Sequence, residues 1–413
     1  MILNYIWIAF FIIAFVVALV RLIFFGDTEV FGKIVDGTFS SSKTAFEVAL
    51  GLTGALTFWM GIMKIGEEAG AIKVLSRIIG PFFRRLFPEI PKDHPALGQI
   101  MLNFSANMLG IGNAATPLGL KAMQSIQELN PEKERASNSQ IMFLVLNTAG
   151  FTLIPVSIMA IRAQWQATEK LPIDPTDVFV PILMCTYIAT ITGILVISIW
   201  QKILDWILLA GIAVVTAVLA GLIYLLQSLP PKQEMMAVQL TGYILIFLII
   251  VSFVAAGAYK KINVYSSFIE GAKDGFSTVI KIIPYLVAML VGMSVFRACG
   301  AMQYINDGIA YVVSALGLNT DFIPSIPIAL MKPLSGGGTQ GLTVDAIRTY
   351  GVNSFVGKLS SIMYASADTT FYIVALYFGS VGIKKTRYAI TGGLIADFAG
   401  VIAAILIAYL FFH

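Results

Sequence analysis

The chain has 413 residues, of which 58% are hydrophobic and only 12% charged. Soluble domains carry about 25% charged residues, so the composition excludes an ordinary soluble protein and points to an all-α polytopic membrane protein. A formal net charge of +4 argues against nucleic-acid binding and fits basic loops gathered on one side of a membrane.

In chain order, apolar segments predict spanning helices at roughly 3–25, 43–65, 138–162, 177–200, 203–227, 238–259, 276–296, 354–379 and 387–411, about nine in all at the ~20 residues that cross a bilayer. The first follows "MILNY", which has no Lys or Arg, and no small-residue cleavage site comes after it. It is therefore expected to be a retained helix, not a signal peptide. Two regions break the pattern. After the second span, "AGAIKVLSRIIGPFFRRLF" is apolar and basic at helical spacing, as in a helix lying in the interface. The stretch 96–129 then reads as two short helical halves around "NMLGIGNAATP". After the span ending near Phe296, a weaker amphipathic stretch, "GAMQYINDGIAYVVSALG", precedes 322–350, whose centre is "MKPLSGGGTQG". No half is long enough to cross ~30 Å at 1.5 Å per residue. Both stretches are expected to be re-entrant hairpins, because irregular backbone at that depth survives only in protein or beside a wet cavity.

Charge agrees with hairpins that return. On that topology about 16 basic residues fall on one face and about 10 on the other. The N-terminus and the "KKTR" loop then lie in the cytoplasm. The chain also reads as an internal duplication: 43–72 aligns with 273–302, so that Lys43 meets Lys273, Phe46 meets Phe276 and Gly70 meets Gly300. Each unit has four spans, with the helix at 203–227 between them. The odd count turns the second unit upside down, the inverted-repeat plan of many secondary transporters.

Each hairpin precedes a span with a polar centre. The first holds Asn147, Thr148, Gly150, Thr152 and Pro155, the second Ser366, Asp368, Thr369 and Thr370. Polar groups at mid-span are costly unless paired or wet, and Pro155 favours a break. Broken helices expose amides and carbonyls that bind anionic groups and cations. Asp368 could coordinate Na⁺, take up a proton, accept hydroxyls or pair with Lys332. The glycine runs also suit close helix packing, and Asn103 and Asn107, four apart on one helix face, suit either cross-helix hydrogen bonds or solute contact. Glu47 and Lys281 suit pairing or cavity lining, and Asp397 suits packing against small residues and hydroxyls. Cys185 and Cys299 read as packing residues. With histidine only at 94 and 413, a histidine-based metal site is not expected, and "SGGGTQG" lacks the lysine of an ATPase phosphate loop. No nucleophile–base pair is visible, so an enzyme is not expected.

These residues carry a resemblance. "MILNYIW", "KTAFEVALGLTGALTFWMGIMKI", "IPKDHPALGQIMLNFSANMLGIGNAATPLGLKAM" and "ASNSQIMFLVLNTAGFTLIP" resemble the spore maturation protein A family. "VYSSFIEGAKDGF", "IPYLVAMLVGMSVFRACGAM", "LMKPLSGGGTQG" and "ASADTTFYIVALYFGSVGIKKTRYA" resemble the spore maturation protein B family. The chain thus looks like a natural fusion: 1–200 A-like, 201–237 a linker helix and 238–413 B-like. Both families are grouped with concentrative nucleoside transporters under a nucleoside-recognition Gate domain. The resemblance implies a transporter or permease of a small polar organic solute, nucleoside-like and coupled to Na⁺ or H⁺. It would be lipid-embedded in the bacterial inner membrane, able to form homo-oligomers and without a further cofactor. Carried over by position, the solute would meet Gly112, Asn113, Thr116, Asn147 and Thr148. From the second half it would meet Ser335, Gly337, Thr339, Gln340, Ser366, Asp368 and Thr369. Both hairpin tips here lack the acidic residues that grip nucleoside in those transporters. The alternative is an uncoupled channel or scaffold of envelope or spore maturation.

Overall fold

The computed structural model describes residues 2–169, 174–227 and 231–413. Among them the chain is helical, with no strand beyond one isolated bridge. The first half runs α1 (Ile2–Phe25), α2 (Val30–Glu68), α3 (Ala71–Leu86), α4 (Pro95–Met108), α5 (Gly112–Leu129), α6 (Asn138–Ala149), α7 (Val156–Glu169) and α8 (Phe179–Gln201). Helix α9 (Trp206–Gln227) follows. The second half runs α10 (Pro231–Tyr259), α11 (Val264–Ala298), α12 (Ala301–Ala315), a 3-10 turn at Ile323–Ser325, α13 (Ile326–Met331), α14 (Gly336–Tyr350), α15 (Phe355–Ala365), α16 (Thr370–Ser380) and α17 (Ala389–Phe412). From α2 and from α11 onward the succession is the same: long helix, amphipathic helix, helix pair, interrupted helix, final helix. Gly70 and Gly300, matched in the sequence alignment, turn the same corner at φ 89° and 91°, a conformation that glycine adopts without a Cβ penalty.

Among the described residues five helices are long and apolar enough to cross a membrane: Trp7–Phe25, Val30–Glu68, Phe179–Gln201, Val264–Ala298 and Ala389–Phe412. Trp206–Gly221 and Ile246–Tyr259 are shorter apolar stretches. The spans expected at 138–162 and 354–379 are interrupted helices, α6–α7 and α15–α16. The outer helices leave large apolar side chains uncovered, with Phe25 on α1 77% exposed and Trp206 on α9 76%. So much bare apolar surface needs lipid or protein to cover it, and the chain reads as an integral membrane protein.

Helices α2 and α11 run well beyond the expected 43–65 and 276–296. Their N-terminal turns are polar, and hydropathy does not set where a helix ends. In α2, Thr38 and Thr44 hydroxyls back-bond the Ile34 and Ser40 carbonyls, both at 2.9 Å. In α11, the Asn263 side chain caps the Ser266 amide at 3.1 Å.

Corresponding helices of the two halves pack against one another antiparallel. Along α2 and α11, Gly37 faces Ser294, Gly61 faces Phe268 and Gly275 faces Thr57. A Cβ on Gly271 would lie 2.4 Å from the Met60 carbonyl oxygen, so this small-xxx-small pair, Gly271 and Gly275, lets two backbones touch. Along α8 and α17, Gly193 meets Ala396 and Gly400 meets Ala189. The interrupted helices repeat the pattern. At the α6 end, Glu134 and Ala136 bond Lys384 and Lys385 after α16. At the α7 end, the buried Arg162 reaches Asp177 at 2.7 Å and the Val352 carbonyl before α15 at 3.1 Å.

Polar bonds join the flanks of each helix pair to neighbouring segments. Asn138, after α5, donates to Glu89, before α4, at 2.7 Å. Ser325, before α13, meets Ser360 on α15 at 3.0 Å.

Candidate functional site

Four interruptions of helix bring backbone to one place. The α4–α5 turn passes through Gly110 at φ +71°, where a Cβ would lie 2.7 Å from the Ile154 carbonyl oxygen. Helix α6 ends on Gly150 at φ +60°, its would-be Cβ 3.1 Å from the Asp368 amide nitrogen. Pro155 stands directly before α7, where a missing donor costs nothing. The α13–α14 turn is Lys332–Ser335, closed by Ser335 accepting from the Gly338 amide at 3.0 Å. The α15–α16 break is Ser366–Thr369, and Asp368 accepts from the Thr369 amide at 2.7 Å.

Backbone bonds tie these breaks together in matched fashion. In the first half, the Leu153 amide donates to the Met108 carbonyl at 2.7 Å; in the second, the Phe371 amide donates to the Pro333 carbonyl at 3.0 Å. Each helix-pair turn is thus fastened to the break of its own half. The Asp368 amide donates to the Thr148 carbonyl at 2.7 Å, fastening the two breaks to each other.

A cavity of about 250 Å³ opens where they meet. Its polar lining comes from Asn107, Asn147, Thr152, Ser157, Lys332, Asp368 and Thr369. Asn107 donates to the Asn147 side-chain oxygen Oδ1 at 2.8 Å, and the Asn147 side chain donates in turn to the Phe143 carbonyl at 2.9 Å. The Tyr377 hydroxyl reaches the same Asn147 oxygen at 3.3 Å. Asn103 does not line the cavity; it bonds the Ala115 carbonyl at 2.8 Å. Lys332 is buried and donates a hydrogen bond to the Tyr364 carbonyl, its ammonium 5.2 Å from the centre of the Tyr364 ring. It makes no ion pair with Asp368 among the described residues. One ammonium, one carboxylate, two amides and several hydroxyls face a space somewhat smaller than the ~300 Å³ at which drug-sized pockets begin. Such a lining matches a small molecule with several hydroxyl or amide groups.

Of the twelve residues expected to contact solute, Asn147, Asp368 and Thr369 line this cavity. Thr148 lies just behind it, fully buried. Ser366 is buried and bonds the Met363 carbonyl at 2.9 Å. Ser335 caps α14, and Thr339 bonds the Ser335 carbonyl at 2.6 Å. Gln340 is buried off the cavity, and Thr116 stands on α5 away from it. Gly112 and Asn113 open α5, and the Asn113 side chain lies outside the described residues. Gly337 packs on α11, its would-be Cβ 3.1 Å from the Tyr285 ring. The triple glycine forms the first turn of α14 and lets that helix press against its neighbours. The cavity glycine of this region is Gly336, whose would-be Cβ lies 3.3 Å from the Thr369 hydroxyl. Ser157 and Tyr364 carried no signal in sequence, because nothing there tells which face of an interrupted helix turns inward. Elsewhere, Glu47 pairs with Lys43 at 3.6 Å on an exposed face, and both cysteines are free and buried.

The sequence matches the family model described as "Gate: Nucleoside recognition" twice, over residues 49–165 and 279–384. It is 39% identical over 193 residues to Spore maturation protein A of Bacillus subtilis (strain 168), covering 47% of this chain and 92% of that relative. It is 45% identical over 165 residues to Spore maturation protein B of the same organism, covering 40% of this chain and 91% of that relative. Both family matches contain a helix-pair turn and an interrupted helix, the parts that line the cavity.

Proposed function

Because the chain belongs to the nucleoside-recognition Gate family, joining spore maturation protein A-like and B-like halves in one polypeptide, we propose that it is a permease for a small polar organic solute of nucleoside type. The observation that carries this reading is the meeting of four helix breaks, two from each half, at one polar cavity. In this reading α4–α5 and α13–α14 are re-entrant hairpins, the halves are inverted repeats and the cavity lies near the bilayer midplane. The antiparallel packing of corresponding helices supports it. The membrane is the bacterial inner membrane, with the N-terminus cytoplasmic, as the distribution of Lys and Arg favours. Asp368 and Lys332 orient the solute from opposite sides, Asn107 and Asn147 read its hydroxyl or amide groups, and Na⁺ or H⁺ supplies the driving gradient. Binding and release suffice for this activity, with no catalysis.

A thermal-shift screen of the purified protein against nucleosides, amino acids, dicarboxylates and metal ions, with and without Na⁺, tests the proposal. A nucleoside-class compound is expected to raise Tm, since a ligand at 100 times its Kd stabilises by about 2.7 kcal/mol. A response to none of them, or an equal response in Asp368→Asn, would overturn it. A second reading, an uncoupled conduit or scaffold in envelope or spore maturation, draws on the names of the two relatives and on hairpin turns without carboxylates. It predicts solute passage in proteoliposomes that no ion gradient changes.

A further inference from the structure

We propose that Asp397, on α17, is a proton-binding site that holds one proton in the resting protein and exchanges it with the cavity. The proposal deepens the permease reading by naming the coupling ion and its carrier. Asp397 is 2% exposed, with Gly393 and Gly400 on the same helix turned to its neighbours. One carboxyl oxygen, Oδ2, accepts from the Thr370 hydroxyl; the other, Oδ1, is buried with no hydrogen-bond partner among the described residues.

The surrounding elements give this carboxyl no ion pair among the described residues. From the α13–α14 turn comes Lys332, whose ammonium is held by the Tyr364 carbonyl. From the α15–α16 break comes Asp368, which opens on the cavity and accepts from the Thr369 amide. From α8 comes Cys185, whose thiol donates to the Gly400 carbonyl at 2.9 Å. From α6 comes Thr148, fully buried, its hydroxyl without a partner among the described residues. Lys332 and Asp368 are the charged groups near enough to act on Asp397. One cation thus stands among two carboxylates. Asp368 faces the polar cavity. Asp397 is buried, with one neutral donor and no ion pair among the described residues, so its charged form is poorly compensated while its neutral form costs little.

The geometry also supplies the link to the cavity. Thr370 is the first residue of α16, directly after Thr369, which lines the cavity. A Cβ on Gly393 would lie 2.9 Å from the Thr370 methyl group and 3.3 Å from that of Thr148, and one on Gly400 would lie 2.9 Å from the Ser366 carbonyl oxygen. Helix α17 is therefore pressed against both sides of the α15–α16 break. A shift of that break moves the Thr370 donor away from Asp397 and opens the carboxyl to cavity water. The proton then leaves Oδ1 for a water molecule, the bonding pair stays on the carboxylate, and nothing else is consumed.

Infrared titration of the purified full chain tests this directly. The wild type is expected to show a protonated-carboxyl C=O band at neutral pH that disappears on alkaline titration. The band should be absent from Asp397→Asn and present in Asp368→Asn. Thr370→Val removes the one hydrogen-bond donor to this carboxyl among the described residues, so its band should shift in frequency; this variant decides the matter if Asp397→Asn does not fold. Persistence of the band in Asp397→Asn, or an unmoved band in Thr370→Val, overturns the assignment. So does a wild type that lacks the band while Na⁺ raises its Tm, which would make the site one for a metal cation. Loss of the band with solute response intact defeats this inference alone; a normal band with no solute response defeats the permease reading alone.

Discussion

Lys332 turns toward the Tyr364 carbonyl and leaves Asp368 to the cavity, and this decides what a substitution there should do. If the two formed a buried pair, Asp368→Asn would strand an ammonium and cost several kcal/mol. With the geometry observed, the asparagine side chain of that variant would keep the bond from the Thr369 amide, since its oxygen accepts as well. Asp368→Asn is therefore expected to hold the apo stability within about 0.5 kcal/mol and to lose the solute-dependent rise in Tm. Lys332→Met should instead destabilise by about 1–3 kcal/mol, because a buried carbonyl loses its donor. Melting curves of the two variants and their double mutant separate the cases; recovery of a destabilised Asp368→Asn by Lys332→Met would mean the carboxylate is a structural partner. At this scale the polar centres of both interrupted helices were legible in sequence, because hydroxyls, an amide and a carboxylate inside apolar runs need a reason. The role of the triple glycine was not, since glycine at a turn and glycine at a helix contact look alike in a string.

The helix pair α2–α11 depends on having no side chain at two positions of α11. Gly275→Val would push its side chain into Thr57 and the Leu56 carbonyl, 2.7 and 2.9 Å from the would-be Cβ. Backbone cannot rotate away as a side chain can, so the expected loss is at the upper part of the ~1–3 kcal/mol seen for overpacking. Gly308→Val on α12, where nothing lies within 4 Å, should cost nothing, since valine has the better helix propensity of the two. Unfolding in graded detergent would compare the two; equal effects would mean that the α2–α11 contact does not govern. The existence and order of the helices followed from apolar runs and glycine corners. Their ends did not, because capping and hydroxyl back-bonding extended α2 and α11 past the apolar stretch.

The two halves meet along three antiparallel helix pairs and are locked at both ends of the interrupted helices. Chains cut after Gln227 and co-expressed should therefore co-purify as a one-to-one complex, and either half alone should aggregate; a monodisperse, folded single half would argue against a shared core. At one end the lock is partly ionic: Lys384 donates to Glu134 at 2.6 Å, and that bond holds the exposed Glu134 carboxyl below its ordinary pKa. A depressed carboxyl contributes stability above its unfolded value and loses it as pH falls through the folded one. The acid limb of the pH–Tm curve should thus flatten slightly in Lys384→Ala, less so at high salt. An unchanged limb would assign the lock to the backbone bonds between Glu134 and Lys384–Lys385.

Sequence by itself determined a lipid-covered helical protein, its repeated order of elements and the four places where helix would fail. Those properties are local: hydropathy, a proline, a glycine or a polar group acts on its own segment, and repetition survives as spacing. Only the tertiary structure decided that the four failures meet, that Lys332 belongs to Tyr364, that Asp397 lies beside Thr370 with one oxygen unpaired, and that α14 uses its glycines for contact. Each of those depends on which helix faces go inward and how far apart in the chain the partners are. Asp368 and Thr148, joined by a single backbone bond across the centre of the molecule, are brought together by the packing of both halves at once.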